Sequence, residues 1–139
     1  MSDELAIQKT ISTYSQTASF ADWDQAVGTY LPDGVMEVPH LGLVFSGRDA
    51  VKEGLMGLFS TMEYVLQLNS PALIEIDGDT ATARSGIREC GKTRGRDEGF
   101  EFFGQYVDTL VRTAEGWKFS KRVFRLIGQH NFPLSPMVN

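Results

Sequence analysis

The sequence predicts an α+β domain, three helices followed by an antiparallel meander of strands. Two observations carry this. Before Glu63 the apolar residues recur at helical spacing between caps and turns. From Glu63 onward the period falls to 2 and hairpin turns separate the apolar runs. With 139 residues the chain suits a single domain, residues 1–139, and shows neither repeat nor linker. A chain of this size buries roughly two thirds of its unfolded surface, enough for a core and a pocket.

Ile7, Ile11, Tyr14 and Ala18 form one stripe of a first helix, which Phe20-Ala21 ends. Asp22 and Gln25 make a capping box for a second helix, with Trp23, Val27, Tyr30 and Leu31 on one face. Leu31-Pro32-Asp33-Gly34 stops it. A short strand from Gly34 to Pro39 pairs with Leu43–Phe45. Ser46-Gly47-Arg48-Asp49 then caps a third helix carrying Val51, Leu55, Leu58, Phe59 and Met62. Tyr64–Leu68 and Ala72–Ile76 read as one long strand, bulged at Ser70-Pro71 because proline cannot serve a central ladder. Asp77-Gly78-Asp79 turns the chain into Thr80–Cys90. A charged loop, Gly91–Gly99, leads to Phe100–Arg112. The turn Ala114-Glu115-Gly116 leads to the last strand, Trp117–Ile127, and an irregular tail follows from Gly128. Phe102, Tyr106 and Leu110 alternate with Phe103, Val107 and Val111, so both faces of the sheet are covered. One face takes the helices and a pocket. The other predicts a homodimer or homotrimer surface.

Composition narrows the function. A net charge of −5 repels phosphate backbones and anionic lipid, which argues against nucleic acid and membrane partners. No apolar run approaches the roughly 20 residues that span a bilayer. The acidic start, Met1-Ser2-Asp3-Glu4, does not read as a secretory signal. Cys90 is the lone cysteine, so an internal disulfide is excluded and a reducing, cytoplasmic setting fits. One cysteine with His40 and His130 is too small a ligand set for an ordinary zinc site. No glycine-rich nucleotide motif occurs, and the expectation is a protein without cofactor or metal.

Six short words in order resemble the NTF2-like superfamily and its SnoaL-like branch. They are Ala21-Asp22-Trp23-Asp24, Leu31-Pro32-Asp33-Gly34-Val35 and Phe45-Ser46-Gly47-Arg48-Asp49-Ala50, followed by Ile76-Asp77-Gly78-Asp79-Thr80-Ala81, Tyr106-Val107-Asp108 and Gly116-Trp117-Lys118-Phe119 with Arg122. The resemblance implies a cone, a curved and mostly antiparallel sheet wrapped by three helices around one small-molecule pocket. These words are turn and cap signals, so they specify architecture rather than chemistry.

The resemblance also implies roles. Tyr14 matches the oxyanion-hole tyrosine of ketosteroid isomerase, and Asp108 matches that enzyme's protonated second donor. Together they would hold a substrate oxygen as charge develops on it. Asp108 could equally bond Tyr14, Arg122 or Arg125. The isomerase's base position falls at Val38, which moves no proton, and places it among pocket-lining residues instead. His40 shares Val38's strand parity and could serve as base. The aspartate–histidine pair of dehydratase-like members is replaced by Ser19 and Gln67, and Gln67 could bind a carbonyl or hydroxyl. Glu89 follows Ala83, Ser85 and Ile87 on an apolar face, a second buried carboxylate that could share a proton with Asp108 or pair with Arg122. Tyr30 and Tyr106 could add hydroxyls to the pocket. The resulting expectation is an isomerase, lyase or cyclase acting on a hydrophobic oxygenated ligand of polyketide or steroid type. The alternatives are a non-catalytic ligand-binding or assembly domain and an oxygenase β-subunit-like structural protein.

Overall fold

Ser2 opens the first helix by accepting from the Leu5 amide at 3.2 Å, and Asp3 and Glu4 occupy the first turn, where the helix dipole favours anions. The computed structural model describes residues 1–135, beginning with this helix, α1 (Asp3–Ser19), whose buried stripe includes Ile7, Ile11, Tyr14 and Ala18 as the spacing predicts. Ala21 reverses the chain at φ 60°. The Asp22 carboxylate then accepts from the Gln25 amide at 3.4 Å and starts α2 (Trp23–Val27).

Helix α2 is shorter than its apolar face suggests. Tyr30 and Leu31 belong to β1 (Tyr30–Val38), because Tyr30 is drawn into the core against Phe119, its partner across the sheet. The Pro32–Gly34 segment therefore bulges a strand, with the register shifting between Tyr30 and Val35, instead of terminating a helix. A 3-10 turn, Pro39–Leu41, leads to β2 (Leu43–Ser46). The cap of α3 (Arg48–Phe59) is Gly47 rather than Ser46. Gly47 adopts φ 91°, a conformation glycine tolerates, and Ser46 ends β2.

The long strand expected after α3 is two strands, β3 (Met62–Asn69) and β4 (Leu73–Asp77), both antiparallel to β5 (Thr80–Thr93). Pro71 lacks a donor for the ladder, and Ser70 bridges the break by exchanging hydrogen bonds with Gly86. The charged loop contracts to residues 94–97, since β6 (Glu98–Thr113) begins at Glu98. The expected irregular tail is also strand: β7 (Gly116–Pro133) continues to Pro133, paired with Glu98–Phe103. The length of β6 supplies the ladder, and Glu101 fixes it by binding His130 at 2.8 Å.

The curved, open sheet has the order β2-β1-β7-β6-β5-β3, with β4 also on β5, and the pairing of β1 with β7 is parallel. The helices cover one face and enclose the core. No described helix is long and apolar enough to cross a membrane. Two irregularities in β7 matter for function. The register shifts at Phe103/Gly104 and at Thr109/Leu110 change which residues of β7 point inward.

Candidate functional site

A cavity of about 380 Å³ lies between the helices and the inner sheet face. Strand alternation sets its walls. On β5 and β3 the inward cross-strand pair is Glu89 and Gln67; on β6 and β7 the inward pairs are Tyr106 with Phe124 and Phe102 with Gln129. Met36 and Val38 contribute from β1, and Tyr14 reaches in from α1. Of the residues singled out in the sequence, Tyr14, Val38, His40, Gln67, Glu89 and Tyr106 line the cavity together. His40 stands at its rim, exposed, with its ring 6.0 Å from that of Phe124.

Tyr30 and Asp108 lie behind this wall. Tyr30 packs edge-on to Tyr14 at 6.1 Å and stays within the core. Asp108 does not present its carboxyl to the cavity. It faces its cross-strand partner Arg122 and accepts from Nε at 2.9 Å and from Nη2 at 3.3 Å, in a pair whose side chains are both fully buried. Of the partners open to Asp108 from sequence, Arg122 takes it. The same pairing leaves Arg122 unavailable to Glu89, which neither salt-bridges it nor shares a proton with Asp108. Arg122 is also wrapped in aromatic rings, its guanidinium carbon 3.6 Å from the Tyr106 centroid, 4.4 Å from Phe119 and 4.5 Å from Tyr14. Burial pushes the Asp108 carboxyl above the usual aspartate value, and Arg122 draws it back down. A charge that is sequestered in this way supports the cavity floor without entering it.

Glu89 is the ionisable acid of the cavity wall. Its Oε2 accepts from Gln67 Nε2 at 2.7 Å, and the Gln67 backbone amide is anchored by Ser19 Oγ at 3.0 Å. Burial pushes the Glu89 carboxyl up to about 7, outweighing the opposing Gln67 bond. Among the described residues no lysine or arginine lines the cavity. Burial likewise pushes the Tyr14 hydroxyl up to about 12, so it remains a protonated donor at neutral pH. Tyr14 Oη and Gln67 Oε1 are buried without a protein partner. The cavity therefore presents the Tyr14 hydroxyl, which lies toward Tyr106, the Gln67 carbonyl oxygen and a carboxyl balanced between its two protonation states, with Thr61, His40 and Gln129 adding polar groups to its wall.

Sequence reasoning missed Leu58, Phe59 and Met62 as cavity wall, having read them only as a helix stripe, and missed Phe102, Phe124, Leu126 and Gln129. Phe102 shares the parity of Tyr106 and could have been found. Gln129 could not, because the shift near Ile127 brings an odd-numbered residue of β7 onto the face of Phe124 and Leu126.

An α+β cone with an open-mouthed cavity and a polar cluster on its inner sheet face is the architecture of the NTF2-like superfamily. Within it, this chain belongs to the SnoaL-like domain family, whose model matches residues 1–123. The uncharacterized protein Rv2910c of Mycobacterium tuberculosis is 26% identical over 124 residues, covering 88% of this chain and 84% of that protein. Among solved structures, a protein provisionally named a scytalone dehydratase from Novosphingobium aromaticivorans superposes with a TM-score of 0.83 at 23% identity, over 94% of this chain and 87% of that one. The hexachlorocyclohexane dehydrochlorinase LinA-type3 of Novosphingobium barchaimii superposes at 0.81 and 16% identity, over 96% and 90%. These likenesses establish the fold.

Proposed function

We propose that the protein is a cofactor-independent lyase or isomerase that removes a proton from carbon next to an oxygen-bearing group of a neutral, hydrophobic small molecule. The observation that carries this reading is Glu89, a buried carboxyl with a pKa of about 7 that lines the same cavity as the Tyr14 phenol. A base works best when its pKa lies near the operating pH. Glu89 accepts the substrate proton, Gln67 holds the carboxylate in place through Oε2, and the Tyr14 hydroxyl donates to the oxygen on which charge develops. Tyr106 and Val38 shape the pocket, and His40 at the rim is the second candidate for moving a proton to solvent. Asp108 supports the floor through Arg122 instead of binding the oxygen. With one carboxylate and no facing cation, the cavity disfavours anionic ligands. The dehydratase and dehydrochlorinase names among the structural neighbours both denote eliminations, reactions in which a proton leaves carbon.

The test needs no knowledge of the natural substrate. Cyclic and aromatic ketones are incubated with the protein in D2O, and deuterium entering the α-position is followed by NMR. Exchange is expected with wild type and lost with Glu89→Gln. Ligand binding without exchange by any ketone would instead support a non-catalytic binding domain. Tyr14→Phe is expected to weaken ketone binding about tenfold, the worth of one hydrogen bond, as read by titration calorimetry.

The reading extends to assembly in the cytoplasm as a homo-oligomer. On the outer sheet face Tyr64, Leu66 and Leu68 of β3 are 54%, 45% and 48% exposed, an apolar row that Arg88 of β5 separates from Phe103 of β6, itself 42% exposed. A second copy of the chain is the proposed cover. Light scattering is expected to give a dimer or trimer for wild type and a monomer for Leu66→Lys. A wild-type monomer at micromolar concentration contradicts this.

A further inference from the structure

The wall of the cavity nearest the end of α3 is thin, and a second recess lies behind it. Phe59 and Met62 line the central cavity and also line an outer groove of about 260 Å³, to which Trp23 and Met56 contribute beyond them. The intervening turn is rigidly held. Arg94, in the short loop between β5 and β6, donates from Nε to the Ser60 carbonyl at 3.2 Å and from Nη2 to the Met62 carbonyl at 3.1 Å. Its backbone amide binds the Thr61 carbonyl at 2.8 Å. Three successive carbonyls are thus tied down, so the backbone of the turn stays in place and only the two side chains can yield. Phe59 is itself buttressed, edge-on to Trp23 at 5.2 Å and 86°. Met62, an unbranched thioether, has the freer rotamers.

We propose that Phe59 and Met62 set the length of ligand the cavity accepts, a ligand whose oxygenated end lies at Tyr14 and Glu89 and whose apolar tail ends at this partition, the outer groove becoming reachable only when either side chain is shortened. The proposal rests on the cavity being a ligand site. The groove shares two of its walls with that cavity, and Trp23, Met56, Ala18 and Ala21 continue the apolar surface beyond them, with Glu63 and Arg94 also among its lining. A short ligand would fill the inner cavity and stop at Phe59. A longer one gains further contact only where Phe59 or Met62 has been cut back.

The test measures calorimetric affinities of a series of 4-n-alkylphenols for wild type, Phe59→Ala and Met62→Ala. Each methylene buried adds about fourfold in affinity, the fold-change equivalent of about 0.8 kcal/mol. In wild type the gain is expected to stop at the length that meets the partition. In either variant it is expected to continue for at least two further methylenes. Met62→Ala leaves the Trp23–Phe59 contact in place, so it answers the question if Phe59→Ala melts. Identical break points in all folded proteins, or a wild-type series without a break, would overturn the partition while leaving the proton-transfer reading intact. Failure of every alkylphenol to bind any of the three would overturn both.

Discussion

Replacing Asp108 with asparagine is expected to lower the unfolding free energy by about 3–5 kcal/mol, the cost of leaving one member of a buried ion pair without its partner. The geometry explains the size. Arg122 is fully buried, its two bonds to Asp108 are its side-chain hydrogen bonds among the described residues, and Nη1 already lacks a partner. Asparagine keeps the shape but removes the negative charge, so the guanidinium remains desolvated beneath Tyr14, Tyr106 and Phe119. Urea unfolding measures the loss. The double variant Asp108→Leu with Arg122→Met should recover much of it, because replacing both charges with apolar groups of similar volume is often neutral or stabilising. Were Asp108 a neutral hydrogen-bond donor to a ligand, the asparagine variant would lose affinity and little stability. The two roles therefore separate on one denaturation curve.

Glu89→Gln carries the second large effect, a loss of about 10²–10⁴-fold in proton-exchange rate, the span that a positioned acid or base contributes. The same substitution changes the pH dependence of stability. In the folded protein the Glu89 carboxyl titrates at about 7, above its ordinary value of 4.5. Below pH 4.5 both folded and unfolded chains hold the proton, and burial of Glu89 carries no ionic cost. As pH rises toward 7 the unfolded chain releases its proton first, so wild type loses stability across that window, by a total on the order of 3 kcal/mol. Glutamine has no proton to release. Glu89→Gln should match wild type near pH 4 and exceed its stability above pH 7, while failing to exchange ketone protons. A gain in stability coupled to a loss of activity marks a group held in an unfavourable environment for its chemistry.

The architecture was legible because it is written in local signals. The stripe Ile7, Ile11, Tyr14 and Ala18, the Asp22 cap and the Asp77-Gly78-Asp79 turn each act over a few residues, and the structure uses all three. Errors arose where a long-range partner overrode a local signal. Tyr30 left its helical face for Phe119, and residues 128–133 became strand because β6 was long enough to pair with them. Half of the site followed the same logic. The parity of Ala83, Ser85, Ile87 and Glu89 placed Glu89 on the inner face from sequence alone, as it did Tyr106. What parity could not give was the choice among partners. Asp108 had three possible basic or hydroxyl neighbours, and only the β6–β7 register sets it opposite Arg122. That register also decides that Glu89 meets no cation, which is why its carboxyl is raised rather than lowered.

The central claim is that Glu89 sits in the cavity as a carboxyl that changes protonation near neutral pH. The most direct measurement is an NMR titration of the side-chain carboxyl carbons of 13C-glutamate-labelled protein, with the Glu89 resonance assigned by its absence in Glu89→Gln. The account predicts that this one resonance titrates near pH 7 and shifts when a neutral ketone is added. Titration of Glu89 near 4.5, alongside the exposed glutamates, would contradict it.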